Sequence, residues 1–203
     1  MGGPSGAEGP ITHVAILRCD FGEAAELAAK WAQDEIFNPH AAGIATYLLA
    51  DYVGDFDRAI KIGRDALQIA GSTDQLINNL AYALALAGRT AEARDLLPED
   101  LDDVYLIATA GLIDILDGEI ERGIAGYDRA YELAKRLPSI DDADDSDLPA
   151  RVVLNKEIAL RRAHHVTGIT AELELPSDWA EHPYLVLAKE VAERAGIRCV
   201  AKR

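Results

Sequence analysis

Asp20, Gly54 and Gly88 stand one 34-residue period apart, and Gly118 follows 30 residues later. The residues after each mark are alike. Five residues on come Ala25, Ala59, Ala93 and Gly123, and twelve residues on come Ala32, Ala66, Asp100 and Ala130. A period of this length constrains the fold more than composition does. Each repeat is one helical hairpin that cannot bury its apolar face alone, and only stacking on the next repeat completes a core. The expected class is therefore all-α, a solenoid of antiparallel helix pairs. That expectation favours a binding scaffold over an enzyme.

The periodicity divides the chain into elements. Ile11–Cys19 reads as the first helix. Glu23–Ile36 carries Ala24, Leu27, Ala28 and Trp31 on one face, and Asn38–Pro39 ends it. Ala41–Val53 pairs with Phe56–Ala70, turning at Gly54. Asp74–Ala87 pairs with Thr90–Leu97, turning at Gly88, and Asp103–Leu116 pairs with Ile120–Leu137, turning at Gly118. Pro98 stops the helix before it, and the four-residue shortfall of the last step reads as the loss of one helical turn.

Beyond the repeats, Arg151–Val166 reads as a helix and Ile169–Pro176, apolar alternating with acidic, as extended. Trp179–Ala195 reads as a helix with Gly196 as its C-cap, followed by a stub, Ile197–Val200, lying along a neighbour. Four regions result. Residues 1–10 are a flexible leader or cloning remnant, 11–138 the helical repeats, 139–149 an acidic linker, and 150–203 divergent helices that cap the array.

Charge narrows the partners. A net charge of −15 repels phosphate backbones, so nucleic acid is not expected. The basic stretch Arg161–His165 reads as a solvated helix face. Five acids between Asp141 and Asp147 lack the central glycine and closing glutamate of a calcium loop and read as a self-repelling linker. Cys19 and Cys199 match no metal spacing and read as free thiols of a reduced compartment. No signal peptide and no run of ~20 apolar residues is visible, so no membrane association and a cytoplasmic location are expected.

At this point the residues resemble the tetratricopeptide repeat family: Tyr47, Gly54, Phe56, Ala59 and Ala66 in the second repeat, Ala81, Gly88, Thr90 and Ala93 in the third, and Gly111, Gly118, Ile120, Gly123, Tyr127 and Ala130 in the fourth. The family's small residue, turn glycine and helix-B alanines are present. Its tryptophan is replaced by Gly43, Ile77 and Ile107, and Tyr47 fills a slot that usually takes glycine or alanine. The resemblance implies a right-handed superhelix whose concave face is lined by the first helix of each pair. On that implication the groove holds Leu48, Tyr52, Asn78, Asn79, Tyr82, Tyr105, Thr109 and Leu112, and it suits an apolar helix or extended segment. One subclass of the family clamps the C-terminal carboxylate of chaperones. Here Ile44, Leu48, Tyr105 and Thr109 stand where four of its polar groups belong, with Asn79 alone matching, so no such clamp is expected.

Catalysis is not expected either. There is no nucleophile elbow and no phosphate loop. His164 and His165 are adjacent and point about 100° apart on a helix, and His13, His40 and His182 are scattered. No cofactor and no metal are expected. Three functional readings remain: a bacterial, cytoplasmic adaptor binding a protein or peptide; a self-associating chain, or one whose groove is filled by residues 169–203; and an accessory domain of a larger enzyme or regulator, prompted by the abrupt start of the repeat at Ile11.

Overall fold

One backbone conformation, at the turn inside each of four helix pairs, sets the register of the helices. In the computed structural model, which describes residues 8–137, 147–163 and 171–201, Gly54, Gly88 and Gly118 hold φ of 78°, 76° and 89°. This is the left-handed region where a Cβ is penalised. Cys19, at φ 59°, occupies the same place after the first helix. Each of the four is followed by the residue that begins the next helix, namely Asp20, Asp55, Arg89 and Glu119. The repeat therefore counts from Cys19 rather than Asp20, and its steps are 35, 34 and 30 residues.

The chain folds as two units, residues 1–98 and 99–203. The first holds α1 (Glu8–Leu17), α2 (Phe21–Asp34), α3 (Pro39–Leu48), α4 (Phe56–Ile69), α5 (Asp74–Leu86) and α6 (Thr90–Leu96). The second holds α7 (Val104–Leu116), α8 (Ile120–Ala134), α9 (Leu148–Ala163), β1 (Ala171–Leu175), α10 (Pro183–Arg194) and β2 (Ile197–Ala201), with a 3-10 turn at Trp179–Glu181. Side-chain caps start most of the repeat helices. Asp20, Asn38, Asp55, Thr73 and Asp103 each accept a hydrogen bond from the first turn, satisfying donors that have no partner inside the helix.

The extra residue in the first step lies in a helix. Sixteen residues separate Asn38 from Gly54, whereas fifteen separate Thr73 from Gly88 and Asp103 from Gly118. A π-helical turn, Leu49–Val53, continues α3 and absorbs the surplus residue. This corrects the alignment based on a constant 34-residue period. The small residue of the second hairpin is Thr46, not Tyr47. Its hydroxyl donates to the Ala59 carbonyl across the hairpin at 3.4 Å. Thr12, Thr46, Ala81 and Gly111 are the corresponding residues of α1, α3, α5 and α7, and all four are buried. They face Ala24, Ala59, Ala93 and Gly123, also buried, at the same place in the second helix of each pair.

The short last step has a different cause from the one the sequence suggests. α6 has 7 residues against 14 in α4 and 15 in α8, so two turns are lost rather than one. The irregular segment from Leu97 to Asp103 makes up part of the length, and the boundary between the two units falls within it.

Within unit 1, α3 packs against α2, α4 and α5, and α4 packs against α5. Within unit 2, α9 packs against both α7 and α8, as α5 does against α3 and α4. Leu48, Leu49, Leu76, Leu80 and Leu84 fill the first core, and Ile113, Ile115, Tyr127, Leu154 and Leu185 belong to the second. The successive second helices of unit 1 are also linked at the surface. Arg58 makes a bidentate pair with Glu26 at 2.7 and 2.9 Å, and Arg64 bonds Glu92. In unit 2 Lys156 on α9 bonds Asp128 on α8 at 2.8 Å.

The fold is helical, with one departure from all-α. β1 and β2 pair in parallel, Ala171 opposite Ile197 and Leu173 opposite Cys199, with α10 as the crossover between them. Over Ala171–Leu175, the alternating segment and the stub at Ile197–Val200 are thus each other's partners. Leu175 and Ile197 are buried, while Glu174 and Arg198 on the opposite face are exposed. The linker also ends earlier than its acidity suggests. α9 begins at Leu148, and Asp147 is buried against Arg151 rather than solvated. The acids at 141–145, the His164–His165 pair and most of the leader lie outside the described residues.

Candidate functional site

The residues assigned to a groove fall in both units and are described in each separately. In unit 1, Leu48 is fully buried and Asn79 is 8% exposed. Asn79 donates its amide to the Gly43 carbonyl at 2.9 Å, and Asn78 donates to the Asn79 side-chain oxygen at 3.1 Å. This pair joins α5 to α3. Tyr52 is half-buried with its ring 5.4 Å from that of Phe21, so it packs toward α2.

Tyr82 is half-buried and meets Tyr47 of α3, ring centroids 6.2 Å apart and tilted by 53°. Tyr47 and Tyr82 are 35 residues apart and therefore hold the same place in successive hairpins. The Tyr82 hydroxyl donates to Asp51 at 2.5 Å. Asp51 lies in the π turn and is 8% exposed. The surplus residue of that turn carries the carboxylate to the tyrosine one repeat later. A constant 34-residue period assigns Tyr47 to the tight crossing, which keeps it out of the groove expected from the sequence.

In unit 2, Thr109 and Leu112 are buried, and Tyr105 is 40% exposed. The Tyr105 hydroxyl accepts a bond from Arg151 at 3.3 Å. The Arg151 guanidinium lies 5.8 Å from the Tyr105 ring centre and 5.5 Å from that of Tyr184. It also pairs with Asp147 at 3.0 Å, where the two side chains are 12% and 1% exposed. Burial pushes the Tyr184 hydroxyl pKa up, opposed by the nearby Arg151 charge. The cluster ties the starts of α7, α9 and α10 together, and a cation between two rings is an arrangement with its own stabilisation. Its sequence signal is the acid–arginine spacing of four, Asp147 to Arg151, at a helix start.

A third aromatic group lies at the start of unit 1. His13 and His40 stack at 6.2 Å, and each has an edge contact with Trp31. His13 Nδ1 bonds the Gly9 carbonyl, and His40 Nδ1 bonds Gln75. Among the described residues no three His, Cys, Asp or Glu side chains cluster to hold a metal ion, and no helix is long and apolar enough to cross a membrane. No protein-family model matches the chain, and no curated protein or solved structure matches it.

Proposed function

We propose that this chain is a helical-hairpin repeat protein of the tetratricopeptide kind that binds another protein through the first helices of its pairs. The right-handed superhelix of that family is part of the proposal. The observation that carries it is the Tyr47–Tyr82 pair with Asp51 behind it. The two rings repeat at equivalent places on α3 and α5 and remain partly open to solvent, and the Tyr82 hydroxyl is held by a carboxylate. Tyrosine offers a large contact area with a polar tip at low entropic cost. The ligand this surface suits is an apolar helix or an extended apolar segment. A carboxylate clamp for chaperone tails does not fit, since Asn79, its one matching group, is spent on helix packing. Binding in the cytoplasm, without cofactor or catalysis, completes the reading.

Peptide display against the immobilised chain, followed by fluorescence anisotropy on the selected peptides, tests this. Apolar peptides should be enriched, and Tyr47→Ala and Tyr82→Ala should each weaken them about tenfold, roughly 1.4 kcal/mol. Tyr131→Ala, on the second helix of its pair, should leave affinity unchanged. No enrichment, or affinities indifferent to Tyr47 and Tyr82, refutes the proposal.

A further inference from the structure

α1 has the composition of a covered helix, but among the described residues its outer side is not covered. The sequences of α1, α3 and α7 (EGPITHVAIL, PHAAGIATYL and VYLIATAGLIDIL) are apolar over most of their circumference, unlike the amphipathic α2, α4 and α8. A helix of that kind belongs inside a packed layer. α3 obeys, with α2, α4 and α5 around it. α1 buries Thr12, Ala15 and Ile16 on its inner side, against which α2 packs. On its outer side Ile11, Val14 and Leu17 are 48%, 43% and 69% exposed, in one stripe at three-residue spacing. Trp31 of α2 lies against Gly9, and beyond it Ile36 and Phe37 are exposed, Phe37 by 75%.

We propose that a second copy of this chain covers this face, α1 against α1 about a two-fold axis. Three observations select that occupant. First, the chain carries 35 acids in 203 residues and a net charge of −15, yet Gly9–Cys19 holds none. Two copies repel over most of their surfaces and least along Gly9–Cys19, the stretch that follows Glu8, the one acid of α1. Second, apolar first helices already pack on one another within each unit, α3 on α5 and α7 on α9, so such a face suits a helix of its own kind, here reversed in direction. Third, the stripe is self-complementary. With the two helices antiparallel and Val14 on the axis, Ile11 of each copy lies over Leu17 of the other, as a closed two-fold contact requires.

This contact uses neither Tyr47 nor Tyr82, so the proposal stands or falls separately from peptide binding. Sedimentation equilibrium from about 1 to 300 µM, at two salt concentrations, should show a monomer–dimer equilibrium strengthened by salt as the repulsion is screened. Val14→Glu and Leu17→Glu should each weaken dimerisation at least tenfold with an unchanged helical circular dichroism spectrum. Ile69→Glu, at an exposed apolar position on α4, should not. In a Cys19→Ser, Cys199→Ser background, Val14→Cys should oxidise to a covalent dimer, because the axis brings the two thiols together. A chain monomeric throughout, equal loss from Ile69→Glu, or a dimer that Val14→Cys fails to link would each overturn the proposal.

Discussion

Replacing Gly123 with alanine should destabilise the second unit, although alanine is the better helix former. A Cβ at this position would lie 2.6 Å from the Gly111 carbonyl oxygen, 2.9 Å from the Ile115 amide nitrogen and 2.5 Å from Ile115 Cγ1. Two of these atoms are backbone, so no rotamer change relieves them and α8 must move off α7. Overpacking of this kind costs about 1–3 kcal/mol, with rigid neighbours placing the change toward the upper part of that range. Against it stands a propensity gain of about 1 kcal/mol for Gly→Ala inside a helix. The expected net loss is about 1–2 kcal/mol. Gly22→Ala is the control, because a Cβ there meets nothing within 4 Å. That change should be neutral or stabilise by a few tenths of a kcal/mol to about 1. The two tryptophans separate the units, Trp31 lying in the first and Trp179 in the second. Urea unfolding followed by Trp179 fluorescence in a Trp31→Phe background should show a lower midpoint for Gly123→Ala. A midpoint equal to or above that of the parent would refute the close α7–α8 approach and the reasoning from it.

Two further outcomes are expected. Asp147→Asn leaves the Arg151 guanidinium with a weakened buried partner and should cost about 3 kcal/mol in unit 2, whereas Asp147→Leu combined with Arg151→Met should recover most of it. Equal unfolding midpoints for the Asn variant and the parent would contradict this. The Cys199 thiol pKa is pushed up to about 11, first by burial and then by Glu193. In the native protein Cys199 should react with a disulfide reagent at pH 8 much more slowly than in the urea-unfolded chain. The sign for stability follows. The unfolded thiol ionises near its ordinary value while the folded one stays protonated, so this contribution is intact below about pH 9 and is lost as pH rises toward 11. Native and unfolded rates that coincide would contradict the burial.

The helices were legible because their signals are local. Asp55 before Phe56 and Thr73 before Asp74 mark starts that the structure keeps, and Gly54, Gly88 and Gly118 mark turns that need a left-handed residue. The register of the second hairpin was not legible. A surplus residue inside a helix has no composition of its own, and Cys19 in a glycine's conformation hid the fourth turn. That one-residue shift moved Tyr47 into the crossing on paper and placed Leu48, a fully buried side chain, in the groove. The pairing of β1 with β2 was hidden for a different reason. Each strand shows only five residues of weak alternation, and a parallel pair requires a partner beyond a helix that neither strand announces. The Asp147–Arg151 pair was obscured by the acids before it, since one buried carboxylate at the end of an acidic run looks like the others.

The central claim is that successive hairpins stack in a register of 35 residues at α3 and α5, so that Tyr47 and Tyr82 form one surface. A double-mutant cycle on Tyr47→Ala and Tyr82→Ala, read by chemical unfolding, measures it directly. Rings 6.2 Å apart should couple by about 0.5–1.5 kcal/mol. Additivity within about 0.3 kcal/mol would mean that the two rings do not meet, and both the register and the surface built on it would be wrong.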